Sequence, residues 1–275
     1  MAQNLSTAFV TLFDAEVKQA YQASAVLRSA IRVRAGVEGS SYKFPKIGKG
    51  VAQVRIPQTD VTPLNVTYSQ VTATLSDYIA AEYSDIFMQA KVNFDERSEL
   101  VKVVSNAIGR RQDQLIVDAL IASGTGNTIA GGAANLTVAK LRQAAQQLNA
   151  KNVPMDNRAI AIHANSLASL LSETAVTSSD FNTVKALVQG ELDTFMGFKF
   201  YVMGDRDEGG LPKSGNDRKV FAFHRDAIGM AEGIAPKTEI NYIPEKTSFL
   251  VTSMFSAGAV AIDAEGIVEI TATEA

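Results

Sequence analysis

The first apolar pattern along the chain has a period of four. Phe9, Phe13, Val17 and Tyr21 recur at that spacing within residues 6–31, which places them on one face of an amphipathic helix. Ser6 stands where an N-cap belongs. No hairpin or domain follows at once to cover this face, so the aromatic stripe must be buried on the chain's own body or on a neighbouring molecule. From residue 36 to 76 the pattern changes. Gly36, Gly39, Gly48, Gly50, Pro45, Pro57 and Pro63 punctuate short runs, and Tyr42–Ile47 and Val51–Ile56 alternate apolar with polar residues. The spacing predicts a β-hairpin turning at Gly48-Lys49-Gly50. About 40 residues with so few large apolar side chains are long for an ordinary loop. The segment is expected to project and to lie on something outside its own domain.

Strand character returns over Val71–Met88. Residues 95–123 then carry the clearest helical signal. Asp95 is placed to cap it, Glu96 and Glu99 suit the positive end of the helix, and Gly124 stands where a C′ glycine belongs. At 1.5 Å per residue such a helix is roughly 40 Å long. Leu100, Val104, Ala107, Ile108, Leu115, Ala119 and Ala122 line one face, and Val103, Val117 and Ile121 another. Two apolar faces imply a helix sandwiched between layers, the axis of its domain.

Beyond it the chain alternates. Loop 123–134 precedes a helix at Val138–Ala150 capped by Thr137, a strand at Arg158–His163, and a helix at Ser166–Ser172. A further helix is expected at Asp180–Leu187 and a strand at Phe198–Met203. Polar loop Asp205–Asp217 leads to strands at Val220–His224 and Phe249–Ala257. Val260–Ile262 and Ile267–Thr271 close the chain around the turn Asp263–Gly266. A mixed centre with non-alternating ends argues for an α+β core carrying extensions.

Composition narrows the function. Hydrophobic residues make up 46% of the 275 and charged residues 20%, enough for a substantial core. The formal charge of −3 lacks the basic balance of a protein that wraps nucleic acid, so DNA contact would need local patches. With no cysteine, disulfides and thiolate chemistry are excluded. No apolar run reaches the roughly 18 residues of a membrane span, and no signal peptide is visible.

Candidate chemistry is thin. His163 precedes Ser166, but Ser166 reads better as a helix cap, and no G-x-S-x-G elbow exists. His224 reads as a polar residue at a strand end. Gly126–Gly132 lacks the lysine and hydroxyl of a phosphate loop. Asp205–Asn216 misses two ligand positions of a calcium loop. No catalytic residues, metal ligands or cofactor site are therefore assigned. Lys43, Lys46, Lys49 and Arg55 make the hairpin locally basic; it could touch DNA weakly, or pair with acidic residues such as Glu96 and Glu99 on another subunit.

The order of parts resembles the major capsid proteins of tailed bacteriophages, the Hong Kong 97-type fold, and most nearly those of short-tailed podophages. Leu12–Val17 with Ala20-Tyr21 is similar to the family's N-terminal arm, and Ser40–Gly48 to the strand entering its extended loop. Ile86 through Val92–Glu99 resembles the approach to its spine helix, Met196–Val202 the glycine-led strand of its axial domain, and Val220–Gly229 with Ser256–Val260 its late strands. The resemblance implies an N-terminal arm at 1–38 and an extended loop at 39–76. It further implies a peripheral domain at 77–136 and 235–275, with a spine helix at 95–123, and an axial domain at 137–234. It implies hexamers and pentamers closing into an icosahedral shell around double-stranded DNA. A separate scaffolding protein and a portal are expected partners, with assembly in the bacterial cytoplasm and no membrane. Phe9, Phe13, Tyr21, Lys43, Lys46, Lys49, Arg55, Glu96 and Glu99 become inter-subunit candidates. An encapsulin-type bacterial compartment shell is the alternative within the same fold. A hydrolase using His163 or His224, and a surface adhesin, are the alternatives outside it.

Overall fold

The computed structural model describes residues 24–58, 60–61, 63–91, 95–173, 194–206 and 208–274. In chain order the strands are β1 Arg32–Ala35, β2 Ser41–Ile47, β3 Tyr68–Thr74, β4 Ser76–Asp85, β5 Thr128–Ile129, β6 Arg158–His163 and β7 Thr194–Phe195. They continue as β8 Phe198–Met203, β9 Lys213–Ser214, β10 Asp217–His224, β11 Ile228–Ile243, β12 Ser248–Ala261 and β13 Ile267–Thr273. The helices are α1 Ile86–Gln89, α2 Glu96–Ile121, α3 Val138–Ala150 and α4 Ala164–Leu171.

Among the described residues these strands form three sheets. A four-stranded sheet runs β1-β11-β12-β4, a seven-stranded sheet runs β5-β13-β10-β6-β8-β7 with β9 appended to β10, and β2-β3 stand as a pair. Strand alternation drives the layering. On β10, Phe221 and Phe223 enter a cluster with α2 residues Ile116, Val117 and Leu120 and with Leu27 and Ile31. Val220 and Ala222 point the other way, toward Leu141, Ala144 and Leu148 of α3. Both faces of the seven-stranded sheet are thus covered, which is why all six residues of β6 are buried.

The long helix α2 crosses the four-stranded sheet and feeds the shared cluster, as its two apolar faces predict. Arg97 lies 4.7 Å from the Phe249 ring centroid and Arg111 4.6 Å from that of Tyr78, which stacks on Phe255. Ile121, assigned to an inward face, is exposed where the helix ends.

Several expectations change. The helix expected over 6–31 does not reach its end: residues 24–26 are irregular, Leu27–Ala30 form one 3₁₀ turn, and β1 follows. The next residues, Arg32–Ala35, pair in parallel with β11. Residues 1–23, with Ser6, Phe9, Phe13, Val17 and Tyr21, lie outside the described residues, as does the helix expected at Asp180–Leu187. The hairpin does not turn at Gly48. β2 pairs with β3, Phe44 opposite Val71, and the Gly48 N–H donates to Thr67 O at the start of the excursion between them. Among the described residues Val51–Ile56 forms no strand. Val71–Met88 divides into the end of β3, β4 and α1.

The sixteen-residue β11 was not foreseen, and two register shifts near Pro236 explain its irregular pattern. β12 runs unbroken to Ala261. His163, not Ser166, caps α4: its Nδ1 accepts the Asn165 N–H, while Ser166 Oγ donates to Asn135 Oδ1. The polar loop after β8 contains β9 and is tied down by its charges.

Candidate inter-subunit surface

The β2–β3 hairpin is seated at its base and open at its tip. Phe44 and Ala73, each 1% exposed, close on Ala231 of β11 and Ile262 after β12. Tyr42 meets Phe44 edge-on at 4.9 Å between centroids. The seat is tight because β12 presents a glycine there: a Cβ on Gly258 would stand 1.9 Å from the Thr74 carbonyl oxygen. The expectation that the whole hairpin needs a support outside its own domain is therefore corrected. Its lower half uses the chain's own body.

The tip is different. Val51, Val54, Ile56, Val61 and Leu64 are all exposed, Val54 at 93% and Val61 at 89%. Five large apolar side chains on one excursion form an exposed apolar surface that no described residue buries. A second exposed apolar group, Ile79 and Tyr83 on β4 with Ile86 and Phe87 on α1, lies on another part of the molecule.

The basic residues sort accordingly. Lys46 Nζ lies 2.9 Å from Asp263 and Lys49 Nζ 2.8 Å from Glu265, both on the turn before β13. Hydrogen bonding to Glu265 raises the Lys49 pKa and lowers that of Glu265 in return. Lys43 and Arg55 are exposed, with no ion pair among the described residues. Glu96 accepts from Ser84 Oγ at 2.7 Å, and Glu99 pairs with Lys102 at 2.7 Å. Within one chain the structure thus brings Lys46 and Lys49 to the Asp263–Glu265 turn, not to Glu96 or Glu99.

Two buried charge clusters escaped the sequence reading. Asp113 on α2 is fully buried and accepts the Leu27 N–H at 3.0 Å and Arg206 Nη1 at 2.8 Å. Burial raises its pKa against the lowering pull of the Leu27 and Val26 amides and Arg206. A signal for it existed: Asp113 shares the i, i+3, i+4, i+7 stripe with Ile116, Val117 and Leu120, where a carboxylate requires partners. The second cluster joins Glu274 to Arg218 Nε at 2.7 Å and to Lys213 at 2.7 Å. Burial opposes the charge on Glu274, but the Arg218 and Lys213 hydrogen bonds outweigh it and hold the pKa at about 2. Asp205, a calcium-ligand candidate by sequence, pairs with Arg218. Among the described residues no group of three or more acidic or histidine side chains is arranged to hold a metal, and no helix is long and apolar enough to cross a membrane.

A family model described as phage capsid protein matches residues 5–274. The chain belongs to the phage capsid protein family. A comparison with curated proteins found no match. Among solved structures, this capsid protein resembles that of the cyanophage P-SCSP1u capsid, with a TM-score of 0.78 at 18% identity over 100% of this chain and 96% of that one. The head of Helicobacter pylori bacteriophage KHP40 gives 0.76 at 12% identity, covering 98% and 96%. Mycobacterium phage Che8 gives 0.72 at 16% identity, covering 95% and 97%. The fold is the Hong Kong 97-type α+β capsid fold, and the chain is a major capsid protein, a structural component of a bacteriophage head.

Proposed function

We propose that this capsid protein assembles into hexamers and pentamers that close as an icosahedral head around double-stranded DNA. Residues 1–38 serve as the arm, 39–76 as the extended loop, 77–136 with 235–275 as the peripheral domain and 137–234 as the axial domain. The observation that carries the reading is the hairpin: a base seated on its own body and an apolar tip that no described residue covers. A tip patch and a separate β4–α1 patch on one molecule favour head-to-tail contact, in which one copy's tip covers the next copy's surface, over a two-fold pair. Rings are the natural closed outcome. Phe9, Phe13 and Tyr21 of the arm, Lys43 and Arg55 of the loop, and Glu96 and Glu99 at the spine helix are proposed contact residues. Lys46 and Lys49 join them once they leave the Asp263–Glu265 turn.

A separate scaffolding protein and a portal are proposed partners, and the host cytoplasm the place of assembly. No enzymatic step is assigned. Membership of the phage capsid family supports a DNA-filled head over a protein-filled encapsulin compartment.

The test replaces residues 50–65 by a short Gly-Ser linker, keeping Gly48, Thr67 and the seat at Phe44. The variant should retain the wild-type circular dichroism spectrum and form no closed particles under negative stain. Normal particles from it would overturn the reading.

A further inference from the structure

Three arginines, Arg32, Arg34 and Arg225, lie where β1 and the Arg225–Ala227 turn meet. Arg32 and Arg34 stand two apart on β1, an edge strand, and so share one face. Both are exposed, with no ion pair among the described residues. The Arg225–Ala227 turn abuts β1, and Arg225 Nε donates to Ile31 O at 3.4 Å. Arg225 also lines a notch of about 160 Å³ with Ser29, Asn157, Lys199 and Tyr201. Lys199 Nζ sits 5.7 Å from the Tyr201 ring centroid, and Ser29 Oγ donates to Tyr201 Oη at 3.4 Å.

Among the described residues no carboxylate lines the notch. Arg158 contributes its backbone side only, since its guanidinium bonds Pro154 O, Val153 O and Asn149 Oδ1. The acids nearby are committed or elsewhere. Glu232 is held bidentate by Arg28 at 2.8 and 2.9 Å. Asp226, Asp263 and Glu265 line a different cleft at the same turn, where Lys49 and Lys151 accompany them. The turn therefore separates a cationic, donor-rich surface from an acidic one, on a chain whose net charge is −3.

We infer that this surface binds the phosphodiester backbone of double-stranded DNA: Arg225 with the notch hydroxyls grips one phosphate, and Arg32 and Arg34 meet others along the strand. The inference rests on the reading of a head that encloses DNA and assigns the inner, DNA-facing side to β1 and the Arg225 turn. Arginine suits the task, since its fork donates two hydrogen bonds to a phosphate. Recognition is of charge and spacing, without base preference.

The test measures binding of a fluorescent 20-base-pair duplex to the full-length, unassembled protein by anisotropy across a salt series. R32A/R34A/R225A should bind at least about tenfold more weakly, and its slope of log K against log salt should fall by about 3, one unit per lost phosphate contact. R32K/R34K/R225K should keep the wild-type salt slope, because the charge is retained, and bind more weakly than wild type, because lysine cannot form the two-bond fork. K91A/R142A/K151A removes the same charge elsewhere and should leave the slope unchanged. Equal duplex binding by wild type and the track variant would overturn the inference, as would an equal loss in the control variant. Displacement of the duplex by millimolar inorganic phosphate would reduce the notch to a free-anion site and overturn it too. Unchanged duplex binding with failed shell formation would make the surface a subunit contact instead. Absence of closed particles when the wild-type chain is made together with its scaffolding protein would count against the closed-head reading alone, because the duplex measurement does not depend on closure.

Discussion

Asp113 and Leu27 lie 86 residues apart in sequence, yet the Asp113 carboxylate accepts the Leu27 amide hydrogen at 3.0 Å inside the main core. The same carboxylate accepts from Val26 at 3.0 Å and from Arg206 at 2.8 Å. One side chain on the long helix therefore fixes where the amino-terminal segment enters the body and where the loop after β8 docks. Glu208 adds to the docking through Arg111 at 3.2 Å, and Gly209 N–H donates to Gln114.

Replacing Asp113 by Asn keeps the shape but leaves the buried Arg206 without its counter-charge. A cost of about 3 kcal/mol at pH 7 is expected, in the range for breaking a buried pair. Urea unfolding of D113N measures it. D113N/R206M should recover part of the loss, because an unpaired buried charge costs more than a missing pair; no recovery would show that the Leu27 bond, not the ion pair, is the larger contributor.

Acid should loosen the Glu274 cluster. Its folded pKa is about 2 against an ordinary value of 4.5. A lowered carboxylate pKa adds stability that is fully present above 4.5 and is lost as pH falls from there toward 2. The difference of about 2.5 in pKa corresponds to about 3 kcal/mol at most. Denaturant midpoints of wild type and E274Q should converge as pH drops through this window and differ most at neutral pH.

Gly258 to Ala tests the hairpin seat. The new methyl would meet a backbone carbonyl, Thr74 O, which cannot step aside as a side-chain tip would. A loss of about 2 kcal/mol or more is expected, together with a raised hydrogen-exchange rate over residues 68–75. Wild-type exchange there would mean that the hairpin is held from elsewhere.

The Lys46–Asp263 and Lys49–Glu265 pairs are half-exposed to exposed, so they orient the hairpin more than they stabilise the fold. D263N/E265Q should leave the melting temperature unchanged. It should speed amide exchange over residues 44–50, and the wild type should approach the same rate in about 1 M salt as screening sets in.

Much of the fold is legible in local pattern. The ends of α3, β6 and β8 follow from a Thr137 cap and from clean apolar runs, since a helix cap and strand alternation are decided within a few residues. The spine helix α2 announces itself by length and by two apolar faces. β11 does not, because half of its side chains are exposed and two bulges break its period. The hairpin register was misread for a related reason. Tyr42–Ile47 carries no local mark of which strand it will meet, and Val51–Ile56 alternates just as well as the true partner 68–74.

The sequence by itself determined the layer types, the central helix, the existence of a projection and the lack of thiol chemistry. These depend on periodicity and residue type alone. Only the tertiary structure decided that the projection is half seated and half bare, that Lys46 and Lys49 meet the Asp263–Glu265 turn, and that Asp113 and Glu274 are buried charges with partners. Those contacts join residues from about 60 to more than 200 positions apart, and such pairings arise from chain topology, which no local pattern encodes.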